Sequence, residues 1–189
     1  MMGLHELAHG GGDASPNNCG KERRVERTLV LVLLGSESDM PVMQDGLDLL
    51  KEIGVKFMLD IASAHRHPEK TAALAKNARE KGIEVLIAGA ALAAHLPGVI
   101  AAHTTLPVIG IPLKGGALLG MDALLSIVQM PKGVPVATVG IDASRNACIL
   151  ACEILSIKYD EIRVKLEDMK ERMRREIDEK SRRLRSPAE

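Results

Sequence analysis

The chain has no tryptophan, one phenylalanine (Phe57) and one tyrosine (Tyr159). A flavin carrier of comparable size stacks aromatic rings on its isoalloxazine, so this scarcity argues against one. A phosphoacceptor receiver domain needs an Asp at the end of its third strand, and the corresponding run "LIAGAALAAH" has none. Excess charge of either sign is also missing. Lys plus Arg balance Asp plus Glu at 25 each, which gives neither the basic field that attracts nucleic acid nor an acidic solvating tail. Cysteine is scarce and odd in number: Cys19, Cys148 and Cys152 have no framework spacing, as expected of a chain kept reduced in the cytoplasm. The N-terminus lacks the apolar run of a secretory signal. Neither nucleic acid nor a membrane is an expected partner.

No metal site is expected either. His5 and His9 stand at helical spacing but lack a third ligand nearby. Cys148 and Cys152, four apart in an Ala- and Ile-rich segment, read as small core residues.

What the chain does have is a regular alternation. Its 189 residues, 46% of them hydrophobic, suit one domain with a substantial core. Residues 1–27, rich in Gly, Asn, Ser and Pro, read as a mobile extension that cannot bury enough surface to offset ordering entropy. From residue 28, "RTLVLVLLG" is a continuous apolar run. In the segment after it, Val42, Leu47, Leu50 and Ile53 recur at helical spacing before a Gly stop. "VKFMLDIAS", "EVLIAGA", "LPVIGIP" and "VPVATVG" repeat the scheme with helical segments between them. Five short apolar runs alternating with helices predict a parallel sheet covered on both faces. The expected fold is α/β, a flavodoxin-like three-layer αβα sandwich over residues 28–156, with a long C-terminal helix over 157–189.

In an open doubly wound sheet, ligands bind beyond the carboxyl ends of the strands, where strand order reverses. In the order 2-1-3-4-5, three loops border one crevice: Gly35 to Asp39, Ser63 to Arg66, and Ala88 to His95. Ser36 and Ser38 precede a helix, where free N–H groups and the positive dipole end attract an anion. Alternatively, Ser38 or Asp39 simply caps that helix. Arg66 offers a planar cationic fork suited to phosphate oxygens, and Asp39 can accept hydrogen bonds from a sugar diol. His65 carries an imidazole, a group able to move protons near neutral pH; a structural or capping histidine is the competing reading.

The stretches "GSESDMP", "SAHRHP", "AAHLPGVIAAHTTLPVIGIP", "LLSIVQMPKGVPVATVGID" and "NACILACEIL" resemble, in sequence order over residues 28–156, the family of N5-carboxyaminoimidazole ribonucleotide mutases. That family is also called the catalytic subunit of phosphoribosylaminoimidazole carboxylase. The resemblance implies a cytoplasmic enzyme of purine biosynthesis that moves a carboxylate from the exocyclic nitrogen of aminoimidazole ribonucleotide to ring carbon C4. It implies no metal, biotin or nucleoside triphosphate, and a homo-octamer. By matching motif, Ser36, Ser38 and Arg66 would hold the ribose 5-phosphate and Asp39 the ribose hydroxyls. Ser63, Ala64, Gly89 and Leu96 would complete the substrate site. His65 would shuttle the proton, and His95, the second catalytic candidate, would shape a small closed pocket for CO₂. Two alternatives stay open: direct carboxylation of aminoimidazole ribonucleotide with CO₂, and a non-catalytic nucleotide-binding regulatory homologue. Ala91 and Leu92 stand where the family has Gly-Gly, and Met40 and His67 replace its Trp and Thr.

In the last segment, Ile162, Leu166, Met169, Met173 and Ile177 recur at steps of three and four. They draw an apolar stripe along a highly charged helix. Because the preceding residues already supply a closed domain, the stripe is expected to dock on a neighbouring subunit.

Overall fold

The computed structural model describes residues 27–185. The expected extension before residue 27, with His5, His9 and Cys19, lies outside the described residues. The elements follow the expected alternation: β1 Thr28–Leu34, α1 Met40–Ile53, β2 Lys56–Ile61, α2 Pro68–Asn77, β3 Val85–Ala91, α3 Leu96–His103, β4 Val108–Leu113, α4 Met121–Val128, β5 Ala137–Thr138, α5 Ser144–Ser156 and α6 Asp160–Arg185. A single 3-10 turn, Glu37–Asp39, leads into α1. All pairings are parallel, in the order β2-β1-β3-β4-β5. This is the flavodoxin-like three-layer sandwich with a long C-terminal helix.

The side chains of β1 alternate between two cores because successive residues of a strand point to opposite faces. Val30, Val32 and Leu34 pack with α1, α5 and α6, while Leu31 and Leu33 pack on the side of α2, α3 and α4. Leu34 aligns with Ile61 of β2 and Gly89 of β3, so the three carboxyl ends are level and their loops meet. Two strands differ from the sequence reading. β2 is an edge strand whose residues are exposed or half-buried rather than buried throughout. The run "VPVATVG" yields only two strand residues, since Pro135 has no N–H to give a ladder.

The helices α1 and α5 touch at backbone distance. A Cβ on Gly46 would fall 2.7 Å from the Ser144 carbonyl oxygen and 2.8 Å from Cys148 Sγ, so only glycine admits this approach. Beside it the buried Ser144 hydroxyl donates to the Val42 carbonyl in the first turn of α1, at 2.6 Å. Cys148 and Cys152 are fully buried in this seam. Burial is the main cause that pushes each thiol up to about 12, so they stay protonated and act as small apolar residues.

The C-terminal stripe divides. Ile162, Leu166 and Met169 are buried in the chain's own core beside α1 and α5. Lys165 Nζ donates to the Ile53 carbonyl at 2.7 Å, and Arg172 meets Glu52 at 2.6 Å. The expectation that the whole stripe seeks another subunit is therefore corrected for its first half, because α5 and α1 leave an apolar furrow that α6 fills. Met173 and Ile177 lie beyond it, 55% and 64% exposed. Among the described residues no helix is long and apolar enough to cross a membrane.

Candidate active site

The loop after β1 is held by its own polar groups. Ser36 Oγ accepts from the Ser38 N–H at 3.4 Å, and Asp39 Oδ2 accepts from the Ser36 N–H at 3.1 Å, a reciprocal capping box. The Ser38 hydroxyl donates to Ser36 Oγ at 2.9 Å. Ser36 thus caps the 3-10 turn, while Asp39 holds the N-cap position of α1 without a side-chain cap there. Burial pushes the Asp39 carboxyl above its usual range, opposed by the Ser36 N–H and the Ser38 hydroxyl. A carboxylate kept partly desolvated beside the Ser38 hydroxyl is suited to accept hydrogen bonds from a ligand diol.

The loop after β2 closes onto the first. Ser63 Oγ accepts from the backbone N–H of Arg66 at 3.2 Å and from its Nε at 3.3 Å, and an Arg66 Nη donates to the Gly35 carbonyl at 3.1 Å. The guanidinium therefore spans both loops. His67 Nδ1 accepts from the Lys70 N–H at 3.3 Å and caps α2, with Pro68 in its first turn. Capping falls to His67, which leaves the exposed His65 ring to meet His95. The His65 Nε2 and His95 Nδ1 atoms are 2.6 Å apart. The ring centroids lie 4.8 Å apart in an edge-on arrangement at 74°.

The loop after β3 turns sharply to bring His95 there. Leu92 has a φ of +57°, a left-handed conformation unfavourable for a residue with a Cβ. The Leu92 carbonyl accepts from the Ala94 N–H and the Ala93 carbonyl from the His95 N–H, both at 2.8 Å. Leu92 is 51% exposed, and its Cδ2 would stand 2.8 Å from a Cβ on Gly116. The bare backbone at Gly116 gives the leucine its room. The three loops line a cavity of about 390 Å³, within the range of small-molecule sites. Among the described residues there is no group of three His, Cys, Asp or Glu able to hold a metal.

The family model described as AIR carboxylase matches residues 29–176. The chain belongs to the AIR carboxylase family. It is 55% identical to a Pyrococcus horikoshii protein named N5-carboxyaminoimidazole ribonucleotide mutase, over 84% of this chain and 90% of that one. A Candida albicans protein named phosphoribosylaminoimidazole carboxylase is 54% identical over 71% of this chain and 24% of its own length. A crystal structure of Treponema denticola PurE superposes with a TM-score of 0.77 at 27% identity, covering 84% of this chain and 99% of that chain.

Of the site residues expected from the sequence, Ser36, Ser38, Asp39, Ser63, Ala64, His65, Arg66, His95 and Leu96 line this one cavity. Gly89 does not. It is buried in β3, where a Cβ would lie 2.9 Å from Leu34 Cδ2 and 3.2 Å from Leu113 Cδ1, and its carbonyl accepts from the Gly35 N–H at 3.2 Å. Its absent side chain accommodates neighbours in the core. The lining further includes Gly35, Ala90, Ala91, Leu92 and Ala93. The pairing of the two imidazoles had no signal in the sequence, since 30 residues separate them.

Proposed function

We propose that this protein converts N5-carboxyaminoimidazole ribonucleotide to 4-carboxy-5-aminoimidazole ribonucleotide in purine biosynthesis, acting as an isomerase. The observation that carries this reading is the near-complete coverage of the P. horikoshii mutase at more than half identity. The cavity supports it. Ser36, Ser38 and Arg66 line it and suit a phosphate, Asp39 suits the ribose hydroxyls, and Ser63, Ala64 and Leu96 complete the wall. His65 supplies the acid–base group. In its protonated form it gives a proton to the departing exocyclic nitrogen as CO₂ is released; C4 then attacks the CO₂, and His65 takes the C4 proton to restore the aromatic ring. His95 and the alanine-rich loop hold CO₂ meanwhile.

A second reading, direct carboxylation of aminoimidazole ribonucleotide, is favoured by the carboxylase name of the Candida relative. Supplying N5-carboxyaminoimidazole ribonucleotide, or aminoimidazole ribonucleotide with bicarbonate, and following the C4-carboxylated product distinguishes the two. Faster product from the first substrate supports the mutase, exclusive use of the second makes the protein a carboxylase, and binding without turnover of either makes it a regulatory homologue. In the same assay His65→Asn should lower turnover about 10² to 10⁴-fold while keeping most ligand affinity. Activity within about threefold of the parent would remove His65 from this role.

The same reading carries a homo-octamer in the cytoplasm, as the resemblance implies. Exposed apolar residues support self-association: Leu118, Leu119, Met121, Leu125 and Val128 around α4, and Met173 and Ile177 on α6.

A further inference from the structure

Two nitrogens 2.6 Å apart cannot face each other with two lone pairs or with two hydrogens, so one hydrogen lies between them. This ties the tautomers of the two rings together. With His65 Nε2 engaged by His95, the nitrogen of His65 left open is Nδ1. Proton uptake at Nδ1 makes an imidazolium whose Nε2–H must donate, and its partner, His95 Nδ1, must then hold a lone pair. We propose that His95 is a positioning residue, a neutral imidazole protonated at Nε2, that accepts the Nε2–H of His65 throughout turnover and leaves Nδ1 as the reacting nitrogen. This assignment rests on the proposed reading of His65 as the proton shuttle.

The proton balance is the same in both halves of the reaction. When the exocyclic nitrogen departs, the Nδ1 proton of the His65 imidazolium goes to it and the ring becomes neutral, still donating through Nε2. When C4 has been carboxylated, its proton goes to the Nδ1 lone pair and the imidazolium returns. His95 neither gains nor loses a proton. Its lone pair strengthens the hydrogen bond whenever His65 is charged. A hydrogen on both facing nitrogens would leave the contact without an acceptor, so only one of the two carries it. The other titratable or charged groups lining the cavity are Asp39 and Arg66, and the Arg66 guanidinium is engaged by Ser63 and Gly35. The backbone that presents His95 is fixed on both sides: its N–H donates to the Ala93 carbonyl at 2.8 Å and its carbonyl accepts from the Val99 N–H at 3.0 Å.

The test uses the full chain and three forms, the parent, His95→Phe and His95→Asn. Phenylalanine keeps an edge-on ring without an acceptor; asparagine restores an acceptor oxygen. Because turnover begins with protonated His65, the alkaline limb of kcat/KM reports the pair. His95→Phe should move that limb down by about one pH unit, the scale of losing one hydrogen bond to a charged group, and His95→Asn should return most of the shift. An unmoved limb in His95→Phe, or an equal shift in both variants, would overturn the positioning role. Nitrogen-15 NMR of the histidine rings in the unliganded parent reads the pair without any turnover. The expected pattern is a protonated His65 Nε2 coupled across the hydrogen bond to an unprotonated His95 Nδ1. Two independently titrating rings would refute the pairing, whereas that pattern in a protein inactive on both substrates would refute the proposed function and leave the pairing standing.

Discussion

On one face of the sheet, α1, α5 and α6 run 14, 13 and 26 residues, and the core beneath them is built from Leu47, Leu49, Leu50, Ile53, Leu155, Ile162 and Leu166. On the other, α2, α3 and α4 run 10, 8 and 8 residues. Their core is rich in alanine: Ala62, Ala75, Ala78, Ala88, Ala90, Ala94 and Ala123. The first face stacks two layers of helix and closes within the chain. The second brings short helices close to the strands through small side chains, and around α4 it leaves leucines, a methionine and a valine in the open. The two faces therefore have different requirements: the first depends on the volume of its own side chains, the second on closeness of approach and, in the proposed assembly, on a second copy.

Substitutions can break this contrast in order of size. Leu166→Ala should cost about 2 to 5 kcal/mol in urea unfolding, the range for truncating a buried leucine. A loss below 1 kcal/mol would mean that α6 is only loosely seated on α1 and α5. On the alanine-rich face the opposite change is the harmful one. Ala88→Leu adds volume at a fully buried position of β3 and should cost about 1 to 3 kcal/mol through overpacking; a neutral result would show slack on that face. Leu125→Glu, on α4, should change the stability of the isolated fold by no more than about 0.5 kcal/mol while reducing subunit number in light scattering. An unchanged assembly would place the subunit contact elsewhere.

The alternation of strands and helices and the three site loops were legible because they follow from apolar periodicity and turn residues, whereas the strand order was taken as the usual one for such a sheet and is seen in the structure. Ser36, Ser38, Asp39, His65 and Arg66 could be selected because their side chains exceed what a turn requires. Other features were hidden for physical reasons. The 3-10 turn that Ser36 caps ahead of α1 is set by backbone angles that no residue pattern announced. The period of three and four along α6 marks an apolar face without saying what it meets, so the stripe gave no sign that Leu166 and Met173 have different surroundings. Gly89 matched a site motif, yet its missing side chain serves Leu34 and Leu113, neighbours identifiable only once the strands are in register. The hydrogen bond between His65 and His95 depends on two side-chain rotations that no spacing encodes.

The bond from Ser144 to Val42 and the bare backbone at Gly46 have a consequence for the ligand. Both pin α1 to α5 within two turns of the serine-lined loop, so the segment proposed to meet a phosphate is braced from behind before anything arrives. A phosphorylated molecule entering there has little conformational freedom of the protein to remove, and a smaller share of its interaction energy is spent on ordering the receptor. In calorimetric terms, a rigid strut behind a polar mouth favours capture with a small entropic penalty from the protein, leaving the ligand's own immobilisation as the larger cost.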